Sequence, residues 1–205
     1  LIKKIFKSLK FKSTYSTDKN VETFTETPVE TNPLIELAKV LSDNDPEVHE
    51  RVSLYINDNN KYFIDNEEEL SERCIESGTE LTSEVVLINE LRCRNYIAYI
   101  DHSEEADRTI KYLDSLSGNV LSANKGFDDL ISAYSSAGLH NAIGNFLYNS
   151  KIGPMPYEFL KKSGYSLANI DEGSDALALI LIKNNITNCV IELSGSSNLK
   201  LKVLG

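Results

Sequence analysis

Apolar positions along the chain recur first at helical spacing, then as one short β-like run, and at the end as several more such runs. Leu34, Leu37, Ala38 and Leu41 follow Asn32-Pro33, an N-cap with proline at the first helical position. Asp45-Pro46 repeats the signal, and Val48, Val52, Tyr55 and Ile56 place a second helix over about 46–58. Asp65 and Asn66 are positioned to cap a third segment, EEELSERCIESG, which stops at Gly78 and carries acids in its first turn. Leu81, Val85, Ile88 and Leu91 predict a fourth helix over about 81–92. Cys74 and Cys93 fall in or just after these helices at partly apolar positions, the setting of buried, inert thiols.

The pattern changes at Tyr96-Ile97-Ala98-Tyr99-Ile100, a β-branched and aromatic run that predicts a strand over 95–100. Asp101-His102-Ser103 ends it and caps a helix starting near Ser103, striped by Ala106, Ile110, Leu113 and Leu116 and closed by Gly118. Two further helices are expected around Phe127–Tyr134 and Leu139–Leu147. Gly153, Pro154 and Pro156 then form a rigid connection to a short helix ending at Gly164. Strands are expected at Tyr165–Ile170, Asp175–Ile182, Cys189–Leu193 and Leu199–Val203, joined by turn-rich DEGS, KNNITN and SGSSN. Short connections favour antiparallel pairing, and the wholly apolar Ala176–Ile182 run predicts a central strand covered on both faces. The expected fold is α+β: N-terminal and central helices packed on a small, mostly antiparallel sheet made from strand 95–100 and a C-terminal meander over 165–203.

The α+β domain is expected over 33–205. Residues 1–12 are a short basic amphipathic segment, with Ile2, Ile5, Phe6 and Leu9 on one helical face. Membrane contact is one reading of this segment. A single short helix without lipidation binds membranes weakly, so a frayed end or a helix packed on its own domain is the simpler expectation. Residues 13–32 are rich in Ser, Thr, Asn and Glu and read as a polar linker.

Charge narrows the function classes. Residues 1–20 hold six lysines and one aspartate, a local +5 against a chain total of −10, which leaves −15 on the remainder. Such a body repels nucleic acid, whose recognition needs clustered Lys and Arg, and steers toward basic partners. No apolar run reaches membrane-spanning length. The three cysteines are widely spaced and form no CxxC or Cys/His cluster, which argues against zinc and suits a reducing cytoplasm. Neither a dinucleotide nor a phosphate-binding glycine motif is present, nor a G-x-S-x-G nucleophile turn. No cofactor, metal or catalytic residue is therefore assigned. The DEGSD stretch lacks the alternating oxygen ligands and distal Glu of a calcium loop.

Two stretches carry a resemblance. One is Tyr62-Phe63-Ile64-Asp65-Asn66-Glu67-Glu68-Glu69-Leu70, followed by a helix and Ile97-Ala98-Tyr99-Ile100-Asp101. The other is Gly164-Tyr165-Ser166-Leu167-Ala168-Asn169-Ile170-Asp171 with Gly173-Ser174-Asp175. Together, over about residues 60–182, they resemble a family of bacterial domains of unknown function. The chain departs from that pattern at His102, where the family tends to carry Trp. The resemblance implies a fold and brings no reaction with it.

Acidic runs are the remaining candidate chemistry. Asp65, Glu67, Glu68, Glu69 and Glu72 form one, Asp101, Glu104, Glu105 and Asp107 a second, and Asp171, Glu172 and Asp175 a third. A solvated helix face is the ordinary meaning of such runs; a docking surface for a basic protein is the functional one. The leading expectation is a non-enzymatic cytoplasmic protein that binds a basic partner, in its specific form an immunity protein that neutralises a cognate bacterial toxin. One alternative is a hydrolase using Asp101, His102, Asp171 and Asp175 at strand ends, although Asp at such places commonly caps helices and shapes turns. Another is a membrane-peripheral regulatory protein held through residues 1–12.

Overall fold

Helix starts lie where the caps require them. In the computed structural model, which describes residues 31–136, 142–148 and 157–204, Asn32 Oδ1 accepts the Leu34 amide at 2.9 Å and opens α1 (Pro33–Leu41). Asp45 Oδ1 does the same for Glu47 at 2.9 Å and opens α2 (Pro46–Asn57). A helix not anticipated, α3 (Asn59–Asp65), starts on Asp58, whose carboxylate accepts the Lys61 amide. The expected third segment is shorter than its pattern suggested. Helix α4 (Glu67–Ser71) ends where Cys74 takes a left-handed φ of 58° and the Ile75 amide returns to the Leu70 carbonyl at 3.1 Å. That Schellman-type reversal buries Ile75, which a continuing helix would carry away from the core. A single 3₁₀ turn (Gly78–Glu80) leads to α5 (Ser83–Cys93).

Strand β1 (Ala98–Asp101) follows. Asp101 Oδ1 accepts the Ser103 amide at 2.7 Å, so it shapes a turn, and α6 (Ala106–Leu116) begins later than expected, behind Glu105. Helices α7 (Phe127–Ser135), α8 (Ile143–Tyr148) and α9 (Tyr157–Lys162) lead to β2 (Tyr165–Ile170) and β3 (Ala176–Lys183). The expectations for residues 1–12, for most of the 13–32 linker, for Leu139 and for the Gly153–Pro156 connection lie outside the described residues.

The C-terminal meander is corrected. Cys189–Leu193 is not a strand; it lies inside α10 (Thr187–Ser196), and only β4 (Leu201–Leu204) follows. The strand order is β1-β3-β2-β4 with every neighbouring pair antiparallel. Because β3 and β4 both run antiparallel to β2, they run parallel to each other on its two sides. A tight turn cannot join such strands; a crossover can, and α10 is that crossover.

Strand β3 is central, as its unbroken apolar run indicates. Ala178, Ile180 and Ile182 face one core, with Ala168 and Ile170 of β2 beside them; α1–α5 and α10 close over this side through Leu37, Val52, Tyr62, Ile88 and Val190. Leu177 and Leu179 face the other, where α6–α9 pack through Ile110, Leu113, Phe127, Tyr134 and Leu160. The period-two alternation of one strand thus serves two cores, and the molecule is α+β with helices on both faces of a four-stranded sheet.

Candidate functional site

Helix α5 is buried nearly all round, and the burial includes Asn89 and Glu90. Polar groups so placed must find partners inside the protein. Glu90, its side chain 2% exposed, meets the Tyr62 hydroxyl of α3 through Oε1 at 2.7 Å and Arg94 Nη1 through Oε2 at 2.6 Å. Arg94 extends through Nη2 to Glu47 at the start of α2, 2.8 Å away. Arg51 of α2 stacks 5.6 Å above the Tyr62 ring, places Nε 3.9 Å from Glu90, Nη1 3.7 Å from Asp65, and donates Nη2 to Asn66. Asn66 was expected to cap α4. Its side chain turns inward instead, accepting from Arg51 and donating to the Tyr62 carbonyl, and makes no cap bond.

Electrostatics follow from this burial. Desolvation raises the Glu90 pKa, against the opposing pull of the Tyr62 hydroxyl, Arg94 and Arg51. Burial, then the charge of Glu90, pushes Tyr62 far up, so its hydroxyl is a permanent donor. Burial works against the Arg94 charge, but Glu47 and Glu90 outweigh it and raise the pKa. Burial and Glu90 also raise the thiol of Cys93. The neighbourhood therefore offers fixed donors and acceptors rather than an activated nucleophile.

The Asn89 amide is oriented by elimination. The single Tyr62 hydroxyl proton goes to Glu90, so that oxygen can only accept from Asn89 Nδ2, 3.4 Å away. Asn89 Oδ1 is then directed elsewhere, and it is buried with no hydrogen-bond partner among the described residues, as is Arg94 Nε. A polar cavity of about 410 Å³ adjoins these groups. Asn89, Glu90, Cys93 and Arg94 line it from α5, Glu47 and Arg51 from α2, and Asp65, Asn66 and Glu69 from the α3–α4 corner. A smaller cavity of about 210 Å³, mainly apolar, lies elsewhere between Val40, Tyr96, Leu116 and Ile180.

Two of the acidic candidates, Asp65 and Glu69, sit at this cavity, and Glu67 and Glu68 are exposed on the same short helix. Among the described residues no cation lies within ion-pair distance of Glu67, Glu68 or Glu69, whereas Glu72 meets Arg92 at 3.0 Å. The second run is largely neutralised by its own helix: Arg108 reaches Glu104 at 4.0 Å and Glu105 at 2.7 Å, and Lys111 reaches Asp107 at 3.4 Å. In the third, Glu172 is not a surface group. Its side chain, 8% exposed, pairs with Arg73 and accepts from Tyr99 and Ser174, while the Arg73 guanidinium lies 5.1 Å over the Tyr99 ring.

Register places Asp101 opposite Ala176, which brings Asp101, Asp171 and Asp175 to the same end of the sheet. All three and His102 are exposed there, and none lines a described cavity. Asp171 holds the Gly173 amide at 2.9 Å, and His102 Nδ1 lies 3.4 Å from Asp101. Among the described residues no three His, Cys, Asp or Glu side chains are arranged to hold a metal ion. Cys74, Cys93 and Cys189 are exposed residues, Cys74 because α4 ends before it and Cys93 as the last residue of α5, beyond the buried Glu84–Leu91 stretch; the Cys93 thiol is only partly desolvated. No described helix is long and apolar enough to cross a membrane.

Tyr62, Asn89, Glu90, Arg51 and Arg94 were not apparent as a site from the sequence. The available signal was VVLINELRCR: apolar residues on every side of a helix imply all-round burial, and two adjacent polar residues within it imply buried partners. A family model described as a domain of unknown function, DUF6630, matches residues 33–204, reaching beyond the 60–182 span of the resemblance at both ends. No curated protein and no solved structure matches the chain.

Proposed function

We propose, for a chain that belongs to the DUF6630 family, a non-enzymatic role in binding a basic protein through the surface around α3 and α4. One observation carries this reading: Glu67, Glu68 and Glu69 stand exposed, with no intramolecular cation among the described residues, beside a cavity that is itself rimmed by carboxylates. Carboxylates that stabilise the fold normally have partners within it; these are available to a partner's Lys and Arg. Ile64, 68% exposed next to Asp65, adds an apolar contact of the kind found at the centre of interfaces. The specific form of the proposal is a cytoplasmic immunity protein that covers a basic surface of a cognate bacterial toxin. The acidity and the absence of a catalytic motif in the sequence support it. The Asp101/His102/Asp171/Asp175 hydrolase gains nothing from the geometry, since its groups are spread over an open surface.

The test is affinity capture from the native cell, followed by titration of the captured protein. The expected partner has a basic surface. Glu67→Lys/Glu68→Lys weakens it by about ten-fold or more, roughly 1.4 kcal/mol, and added salt weakens the wild-type complex. Co-expression relieves growth inhibition by that partner. Recovery of no basic partner, or a complex indifferent to the charge reversal, removes the proposal.

A further inference from the structure

We infer that the cavity between α2, α4 and α5 is a socket for one cationic side-chain head group, guanidinium or ammonium, presented by the partner. The inference rests on the binding role just proposed and specifies where it is anchored. Four carboxylates line the cavity against two guanidiniums, so it is net negative by two charges. The internal pairing uses up most of these groups. Glu90 is engaged by Tyr62 and Arg94, Glu47 by Arg94, and Asp65 and Asn66 by Arg51. Among the described residues the unused acceptors are the Glu69 carboxylate and Asn89 Oδ1.

Asn89 is the informative group. It is 1% exposed, and its amide is fixed in the orientation that leaves an acceptor without a donor. An unsatisfied buried acceptor costs about 1–3 kcal/mol, which a bound donor recovers. A donor that also carries positive charge answers the net charge of the lining at the same time. An anion would meet two arginines already committed to carboxylates and a surplus of negative charge. A divalent metal would lack a three-ligand cluster among the described residues. An apolar group would leave Asn89 unsatisfied and desolvate the rim. The volume, about 410 Å³, exceeds what one water needs and lies within the range of about 300–1,000 Å³ usual for ligand pockets. A cation leaves the Arg94 Nε donor unused.

The experiment uses the full chain and three capped amino acids: Nα-acetyl-arginine methylamide, its lysine counterpart, and the citrulline counterpart, which keeps the arginine shape without the charge. Binding is followed by 15N–1H correlation spectra. The arginine or the lysine compound, and whichever of them binds tighter identifies the head group, is expected to shift the Asn89 side-chain amide and the α5 amides saturably. The citrulline compound should bind at least about ten-fold more weakly. Asp65→Asn/Glu69→Gln, two exposed positions with little bearing on folding, should weaken the cationic compounds by about ten-fold or more. Asn89→Leu should abolish the shifts with the rest of the spectrum retained; if that variant does not fold, the rim variant decides. The socket is overturned by equal binding of the citrulline compound, by binding unchanged in the rim variant, or by no saturable shift with any cation. Capture of a partner sensitive to Glu67→Lys/Glu68→Lys, with none of the three compounds bound, would leave the surface reading standing and remove the socket alone. Compounds bound without any captured partner would do the reverse.

Discussion

Glu90 has lost nearly all of its hydration and keeps its charge only through neighbours. Its raised pKa means that the native state binds a proton more readily than the unfolded chain does. As pH rises past the ordinary glutamate value of 4.5, the unfolded state ionises first, so the contribution of Glu90 is full below that point and falls until its own native pKa is reached. Glu90→Gln keeps an acceptor for the Tyr62 hydroxyl and removes the titration. Thermal melts from pH 4 upward should show the variant gaining on wild type as pH rises; parallel curves would contradict this origin of the shift. Tyr62→Phe strands both Glu90 Oε1 and Asn89 Nδ2, at a cost of about 1–3 kcal/mol measurable by urea denaturation. These pairings were beyond the reach of sequence reading. Tyr62 and Glu90 are 28 positions apart, and only the packing of α3 on α5 brings them together. Asp65 and Glu69 were singled out because exposed acids in a run are visible locally, and Glu172 was grouped with them because nothing local reveals Arg73, 99 positions earlier in the chain.

Among elements, helices opened by Asn-Pro and Asp-Pro were legible because the cap and its helix are neighbours in sequence. Their ends were less so. The stretch after Ser71 keeps a helical pattern, yet Cys74 adopts a conformation that suits glycine, and the gain is the burial of Ile75. Cys74→Gly should relieve the left-handed strain and stabilise the protein by about 0.5–1 kcal/mol; a loss of stability would show that the thiol contributes something the backbone does not. The β2–β3 turn is tied down in a different way, by Arg73 and Glu172, whose side chains are 3% and 8% exposed. Removing one partner of a buried pair leaves an uncompensated charge, so Arg73→Ala or Glu172→Ala should each cost about 3–5 kcal/mol. The double variant should cost well under the sum of the two, which a denaturation cycle would measure. The Cys189–Leu193 run illustrates a limit of periodicity: four apolar residues around Glu192 fit strand or helix alike, and the choice is made by the strand directions that α10 must connect.

For the molecule as a whole, the α+β class and the central place of β3 were legible, since an apolar run without polar alternation can only be covered on both sides. Which helices lie on which side was not, because that depends on how two crossovers pass a sheet whose order is β1-β3-β2-β4. Ile180→Ala on one face and Leu179→Ala on the other should each cost about 2–5 kcal/mol, and each should lower a single unfolding transition when fluorescence and circular dichroism are compared. Separate transitions would mean that the two cores melt independently. Strand β3 is a party wall between two rooms, and neither can be gutted without exposing the other. A guest that settles against α3 and α4 would therefore be felt behind the wall, as slower opening of the distant α6–α9 side, although it touches nothing there.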